Sequence, residues 1–209
     1  ITAVVRKTSN TDMLRNKGVS IIFADIADKN SFREIVGGYD VLFHCAGFVK
    51  DGDKHNLERV NIRGTENTCE WAFLNKISKF IYVSSVAVNS GNSEGPLTEE
   101  MPYRSTNIYG FSKLEAEKIA VEFRERGLPM VILRPCMVYG RGEPHMLPLL
   151  VRLIRLHLLL LPNRGETKLH LVSVRNVAVS LVRCMEDDRA LGKIFNIADK
   201  EVYSVDEIF

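Results

Sequence analysis

Six short apolar runs punctuate the chain: Thr2–Val5, Ser20–Ala24, Val41–Cys45, Phe80–Val83, Met130–Arg134 and Ile194–Ile197. Each is nearly continuous rather than alternating, the pattern of strands buried on both faces of a parallel sheet. Between them the pattern turns helical. Leu57–Asn75, Ile108–Arg126 and Val174–Asp187 read as long helices, with Gly127 stopping the second, and Asn30–Val36 as a short one. Strand alternating with helix predicts an α/β domain built on a doubly wound parallel sheet. The segment Asn89–Asn107, rich in Ser, Gly, Pro and Glu, lies between a strand and a helix. Long loops at the carboxyl ends of strands are where such sheets bind ligands. Glu143–Lys168 breaks the strand–helix rhythm and reads as a substrate-binding insertion. Within it, Leu147–Leu161 is the most apolar stretch, interrupted by Arg152, Arg155 and His157 and closed by Pro162. It is shorter than the ~20 residues of a membrane span and reads as a buried helix followed by a short strand. Ser204-Val205-Asp206-Glu207 is a capping box that starts another helix.

Composition narrows the chemistry. The chain has 209 residues, 45% apolar and 26% charged, enough for one domain of ordinary size. A net charge of +2, with both signs interspersed, gives no reason to expect a nucleic acid or another polyanion as partner. Cys45, Cys69, Cys136 and Cys184 form no Cys-x-x-Cys, and the five histidines show no metal-binding spacing. The cysteines read as reduced thiols of a cytoplasmic protein. No signal peptide pattern opens the sequence.

Tyr109 and Lys113 are four residues apart on a predicted helix, which places them on one face. An ammonium beside a phenol favours the phenolate and lowers its pKa. Such a phenol exchanges a proton with an alcohol or carbonyl. Ser84 and Ser85 end the upstream strand. A serine hydroxyl there can bind the same oxygen, and neighbours on a strand point to opposite faces, so one serine of the two can serve directly. This is redox chemistry at a carbinol carbon, and it requires a hydride carrier. Taken alone, a Tyr-x-x-x-Lys pair is more often the packing tyrosine and solvated lysine of a long helix, and the order of the surrounding elements reverses that.

The order of the motifs resembles the extended short-chain dehydrogenase/reductase family, the NAD-dependent epimerase/dehydratase group. The pieces are Ala24-Asp25-Ile26, His44-Cys45-Ala46-Gly47, Asn61-Ile62-Arg63-Gly64-Thr65, Tyr82-Val83-Ser84-Ser85, Tyr109 to Lys113, and Arg134-Pro135-Cys136-Met137-Val138-Tyr139-Gly140. The resemblance implies that Asp25 receives the adenine amino group and Ile26 covers the ring. It places backbone at Pro135 and Cys136 near the nicotinamide. Aligning Val88 with the family's Val-Tyr-Gly makes Ser85 the catalytic hydroxyl, with Tyr109 as acid–base and Lys113 holding the phenolate and the ribose hydroxyls. Small residues Ala46 and Gly47 allow close approach to the cofactor. His44 is a ligand or a packed strand-end histidine. Asn61 either braces the neighbouring strand end or makes a local bond. Two departures stand out: Arg175-Asn176 precedes Val177-Ala178 where an Asp is usual, and Val88-Asn89-Ser90 replaces Val-Tyr-Gly.

A dinucleotide-binding sheet opens with a strand and a glycine-rich turn. Neither is visible, so residue 1 falls in what would be the second strand and the sequence reads as a domain body without its start. The expected plan is a dinucleotide-binding part over 1–140 that resumes over 171–192, a substrate segment over 141–170, and a C-terminal substrate region beginning at 193. Arg6, at the end of the first run, would accommodate a 2′-phosphate where NAD-specific sheets carry a carboxylate. That favours NADP over NAD, unless Arg6 is merely a solvated strand end. The expected activity is NAD(P)-dependent epimerisation, dehydration or reduction of a small molecule, a nucleotide sugar in the leading reading. Arg141, Arg152, Arg155 and Arg164 are candidates for its pyrophosphate. The alternatives are an apolar alcohol or ketone, as in hydroxysteroid dehydrogenases and flavonoid reductases, and a non-catalytic cofactor-binding regulator. The resemblance also implies a homodimer through Leu57–Asn75 and Ile108–Arg126, with Trp71, Leu74 and Phe123 as second apolar stripes.

Overall fold

The computed structural model describes residues 1–92, 95–142, 152–153, 155–156, 166 and 168–208, with backbone only at Arg33 and Glu34. Four parallel strands form the centre: β3 (Val41–His44), β4 (Lys79–Val83), β5 (Met130–Pro135) and β8 (Ile194–Ile197), in that order. A second parallel pair joins β1 (Thr2–Val5) to β2 (Ser20–Phe23). Among the described residues no strand hydrogen bonds join this pair to the four central strands. The six apolar runs thus all become strands of parallel sheets, with ends shifted by at most one residue.

The middle strands show why the runs are continuous. Phe80 and Tyr82 of β4 and Met130 and Ile132 of β5 face Cys69, Ala72, Ala116, Ala120 and Phe123. These come from α3 (Gly64–Leu74) and α4 (Ile108–Glu125). The intervening Ile81, Val131 and Leu133 face Cys184, Ala190 and half-buried Leu181 on the other side, where α5 (Val174–Glu186) lies. Both faces are covered, so both sets are apolar. The β1–β2 pair is less enclosed: Val4 is 42% exposed and Phe23 39%.

The expected Leu57–Asn75 helix starts earlier, at α2 (Lys54–Asn56), where the Asp53 carboxylate accepts the Asn56 N–H at 3.2 Å. It passes through a π-helical stretch, Leu57–Arg63, before α3. Asn30–Val36 is instead a 3-10 turn over Lys29–Glu34. The apolar pattern passed over α1 (Asp12–Asn16), which buries nothing. It also passed over β6 (Met137–Tyr139), β7 (Lys168–Ser173) and β9 (Val202–Ser204), a small sheet with largely exposed or alternating residues. One half of the capping box forms at the start of α6 (Val205–Ile208): Glu207 accepts the Ser204 N–H at 2.8 Å, and the Ser204 hydroxyl donates to the same carboxylate at 2.8 Å. The buried helix and strand expected over Leu147–Leu161 fall almost entirely outside the described residues, as does Arg164.

Candidate active site

Ser85 lies two residues beyond β4 and caps the 3-10 turn Val86–Val88, its Oγ accepting the Ala87 N–H at 3.2 Å. α4 begins behind Asn107, whose Oδ1 accepts the Gly110 N–H at 2.7 Å. A Cβ on Gly110 would stand 2.8 Å from the Ala87 carbonyl oxygen. Glycine there lets the first turn of α4 lie against the turn that follows Ser85. This contact brings Tyr109 to Ser85. The Asp51 carboxylate, from the loop after β3, accepts the Tyr109 N–H at 3.0 Å. Lys113, one turn on, is buried. Its Nζ donates to the Val83 carbonyl at 2.9 Å and lies 4.7 Å from the Tyr82 ring centroid.

Beneath this face lies a set of polar clamps. Asn61, on the π-helical stretch, is buried. It accepts the Phe48 N–H at 2.7 Å and donates to the Phe48 carbonyl and to Ser112 Oγ, both at 2.9 Å. It therefore bonds the loop after β3 to the residue preceding Lys113, which is the brace rather than the local bond. π-helical turns recur at functional sites. His44 is packed rather than open to a ligand: Nε2 lies 3.0 Å from Thr65 Oγ1 and its ring stacks on Tyr82 at 5.4 Å. Ser84 Oγ is buried without a hydrogen-bond partner, while Ser85 stays half-buried.

The charge balance differs from expectation at the phenol. Burial raises the Tyr109 pKa, and the Ser85 hydroxyl reaches the phenol and offsets part of the rise. The anticipated lowering by Lys113 does not appear among the causes acting on the phenol. Burial brings Lys113 down to about 8, with Glu117 and Cys45 pulling the other way. Burial, reinforced by the Lys113 charge, lowers His44 to about 3, so the imidazole is neutral.

A second group of candidate residues gathers at the carboxyl ends of β1 and β2. Asp25 accepts the Ala27 N–H at 3.0 Å through Oδ1 and pairs with Arg59 Nη1 at 3.0 Å through Oδ2. Partial burial works to raise the Asp25 carboxyl. The Ala27 amide and the Arg59 and Arg6 guanidiniums outweigh it, and the group stays below its usual range. Arg6 is exposed. Ile26 packs on α3, where a Cβ on Gly64 would come within 2.7 Å of its Cδ1. Ala46 and Gly47 are exposed at the end of β3. Pro135 is buried and closes β5, and the Cys136 N–H donates to the Ile197 carbonyl at 2.9 Å. Sequence reasoning passed over Arg59, Glu117 and Tyr103. The signal for Glu117 was its spacing, four residues beyond Lys113 on a face that should be apolar.

The departures from the family pattern also resolve. Asn89 is buried, and its Nδ2 donates to the Thr98 carbonyl at 3.0 Å, holding the 89–107 loop to its own base. Asn176 donates to Asp199 Oδ1 at 2.7 Å, so a carboxylate reaches this point from after β8. Asp199 Oδ2 also accepts the Tyr139 hydroxyl at 2.9 Å.

The model of the NAD dependent epimerase/dehydratase family matches residues 1–198. The chain belongs to that family. Among curated members, a UDP-glucose 4-epimerase of Vibrio cholerae is 30% identical over 205 residues, 92% of this chain and 62% of the relative. A 2-alkyl-3-oxoalkanoate reductase of Shewanella oneidensis is 27% identical over 200 residues, 88% of this chain and 52% of the relative. The chain thus spans between half and two thirds of these relatives. The crystal structure of a UDP-glucuronic acid 4-epimerase from Bacillus cereus with UDP-glucuronic acid and NAD superimposes with a TM-score of 0.83 at 24% identity, covering 99% of this chain and 72% of that one. The family is one of NAD-dependent enzymes, and its fold is the one described above.

The residues present fit a nicotinamide dinucleotide. Small, exposed Ala46 and Gly47 and half-buried Ser85 lie at carboxyl ends of parallel strands, beside a buried lysine. The residues expected as second apolar stripes for a dimer differ in exposure. Phe123 is buried against Phe73 at 6.1 Å, and Trp71 packs on Phe32 and Tyr39 at 6.4 and 6.2 Å. These rings fill the chain's own core, and Leu74 alone of the three is exposed, at 70%. Among the described residues no helix is long and apolar enough to cross a membrane. The four cysteines are free, with Cys45 exposed rather than in the core.

Proposed function

We propose that the intact protein interconverts a carbinol and a carbonyl carbon of a nucleotide sugar, with Ser85, Tyr109 and Lys113 as the reacting residues. The observation that carries this reading is the close packing of the first turn of α4, which bears Tyr109, on the turn after Ser85, with Lys113 buried one helical turn on and bonded to the Val83 carbonyl. Nicotinamide supplies or accepts the hydride when bound. Tyr109 takes the hydroxyl proton or returns it, Ser85 Oγ binds the reacting oxygen, and Lys113 stabilises the phenolate that forms. The 89–107 loop keeps water from the reacting face. Ala46 and Gly47 border the cofactor, with Pro135 and Cys136 backbone at its nicotinamide end and Asp25 and Ile26 at its adenine end. Arg6 and its neighbour Arg59 favour NADP, through charge-assisted bonds to a 2′-phosphate. In domain terms, 1–140 and 171–192 hold the cofactor, and 141–170 with the region from 193 hold the substrate.

The Vibrio relative supports a nucleotide sugar. The Shewanella relative supports the second reading, reduction of an apolar ketone. Arg141, Arg152 and Arg155 are exposed and available to a pyrophosphate. A homodimer through α3 and α4 would rest on Leu74 and Phe111, the latter 52% exposed, and micromolar sedimentation of the full-length protein tests it. The functional test is incubation of the full-length protein with UDP-sugars and, separately, with 3-oxoalkanoates and hydroxysteroids, following the substrate and product by chromatography, because epimerisation returns the hydride, and reduced nicotinamide where oxidation or reduction is net. Turnover of a UDP-sugar supports the reading, and turnover of the apolar substrates alone replaces it with the second. Calorimetric titration with both cofactors settles the preference: tighter NAD binding would overturn the assignment to Arg6.

A further inference from the structure

Glu117 and Arg134 form the most deeply buried ion pair among the described residues, their side chains 0% and 2% exposed. Arg134 Nε donates to both carboxylate oxygens at 3.1 and 3.2 Å, and Nη2 donates to Oε1 at 2.5 Å. The pair also reaches into the 89–107 loop. Arg134 Nη1 donates to the Glu99 carbonyl at 3.1 Å, and the Tyr103 hydroxyl donates to Glu117 Oε1 at 2.9 Å. The Arg134 guanidinium lies 5.5 Å from the Tyr103 ring centroid. Glu99 Oε1 in turn accepts the Asn196 N–H of β8 at 2.7 Å. The loop is thus fastened to α4, β5 and β8 through one buried charge pair. Such a pair is seldom more stabilising than apolar residues of similar volume. Its position gives it another use, for Glu117 stands one helical turn beyond Lys113 on α4.

We propose that the Glu117–Arg134 pair is a positioning unit of the active face: it holds the loop bearing Glu99 and Tyr103 against α4 and places a fixed negative charge one turn from Lys113. The inference rests on the reading of Tyr109 and Lys113 as the reacting pair. The groups facing Lys113 are His44 and Cys45 from β3 and its extension, the Tyr82 ring and Val83 carbonyl from β4, and Glu117 from its own helix. Those facing Glu117 are Arg134 from β5, Tyr103 from the loop and Tyr82 from β4. Of the groups acting on Lys113, Glu117 is the fixed anion: it favours the ammonium and opposes the burial that depresses it.

The experiment uses the full-length protein without cofactor. Lysine ε-carbons are 13C-labelled to titrate Lys113 by NMR, and amide exchange is followed over residues 95–107. Glu117→Gln should lower the Lys113 midpoint by about one pH unit. It should also speed exchange in the loop about tenfold, the effect of losing a hydrogen bond to a charged group. The alkaline limb of the kcat/KM profile should move to lower pH by the same amount as the midpoint. Tyr103→Phe, at an exposed residue, should speed loop exchange and leave the Lys113 midpoint in place. If Glu117→Gln does not fold, the double variant Glu117→Gln with Arg134→Met leaves no lone buried charge and carries the same test. An unchanged Lys113 midpoint, or loop exchange at the wild-type rate, overturns the proposal. A Tyr109→Phe enzyme with normal turnover would instead overturn the reading of the site and leave both spectroscopic readouts standing.

Discussion

The ends of β4 and of β1–β2 carry the two halves of the candidate site, and they are built in opposite ways. At β4 the polar side chains under the reacting face are buried and fastened to one another: Asn61 to Phe48 and Ser112, Lys113 to Val83, Glu117 to Arg134. At β1–β2 the polar groups stay near solvent. Arg6 is exposed, and the paired side chains of Asp25 and Arg59 are each 34% exposed. One helix serves both halves. Its π-helical stretch presents Arg59 to Asp25 and, two residues on, Asn61 to α4. A proton-transfer site needs fixed geometry, whereas recognition of a remote ribose or adenine tolerates exposed charges that rearrange. Substitutions at the β4 end should therefore be read in stability as well as chemistry, and those at the β1–β2 end mainly in binding.

Removing one partner of the buried pair breaks this contrast most severely. Arg134→Met leaves Glu117 buried without its guanidinium, which costs about 3–5 kcal/mol. Urea denaturation checks it, and a loss under 1 kcal/mol would mean that water reaches the site. The pH dependence of folding comes next. His44 has a folded pKa near 3 against an ordinary 6.5. Between these values the unfolded chain binds the extra proton. Stability is thus intact above about pH 6.5 and falls as the pH drops. At pH 5 the His44 contribution is roughly 2 kcal/mol. Wild type should lose that much more than His44→Gln between pH 6.5 and 5, and parallel curves would show that His44 is hydrated.

Smaller effects probe the β1–β2 half. Gly64→Ala pushes a Cβ into Ile26, and the end of a flexible side chain can yield, so a cost of about 1 kcal/mol is expected. Cofactor affinity should fall with it, by calorimetry, because Ile26 moves. Arg59→Ala should change stability by less than about 1 kcal/mol, as exposed pairs do, while the Asp25 carboxyl titrates closer to its ordinary value. A larger loss of stability there would make the two halves alike.

The sequence already carried the parallel strands and three long helices, because runs buried on both faces and helical apolar stripes are local signals. Spacing and motif order already singled out Tyr109, Lys113 and Ser85, the residues on which the proposed chemistry rests. The Glu117–Arg134 pair was hidden because its members are 17 residues apart and each reads alone as a surface charge. Arg59 was hidden for the same reason, 34 residues from Asp25. Phe123 is buried and Trp71 half-buried against the chain's own core, and a second apolar stripe on a helix looks the same in sequence whether a partner subunit or that core covers it. The small β6–β7–β9 sheet was missed because its short strands bury little, so no apolar run marks them.

The most direct measurement is turnover and cofactor binding of full-length Tyr109→Phe, made side by side. The phenyl ring keeps the packing and loses only the hydroxyl that exchanges the proton. The account predicts a fall in kcat of about 10²–10⁴, with calorimetric affinity for the cofactor unchanged. Turnover near that of the wild-type enzyme would contradict it.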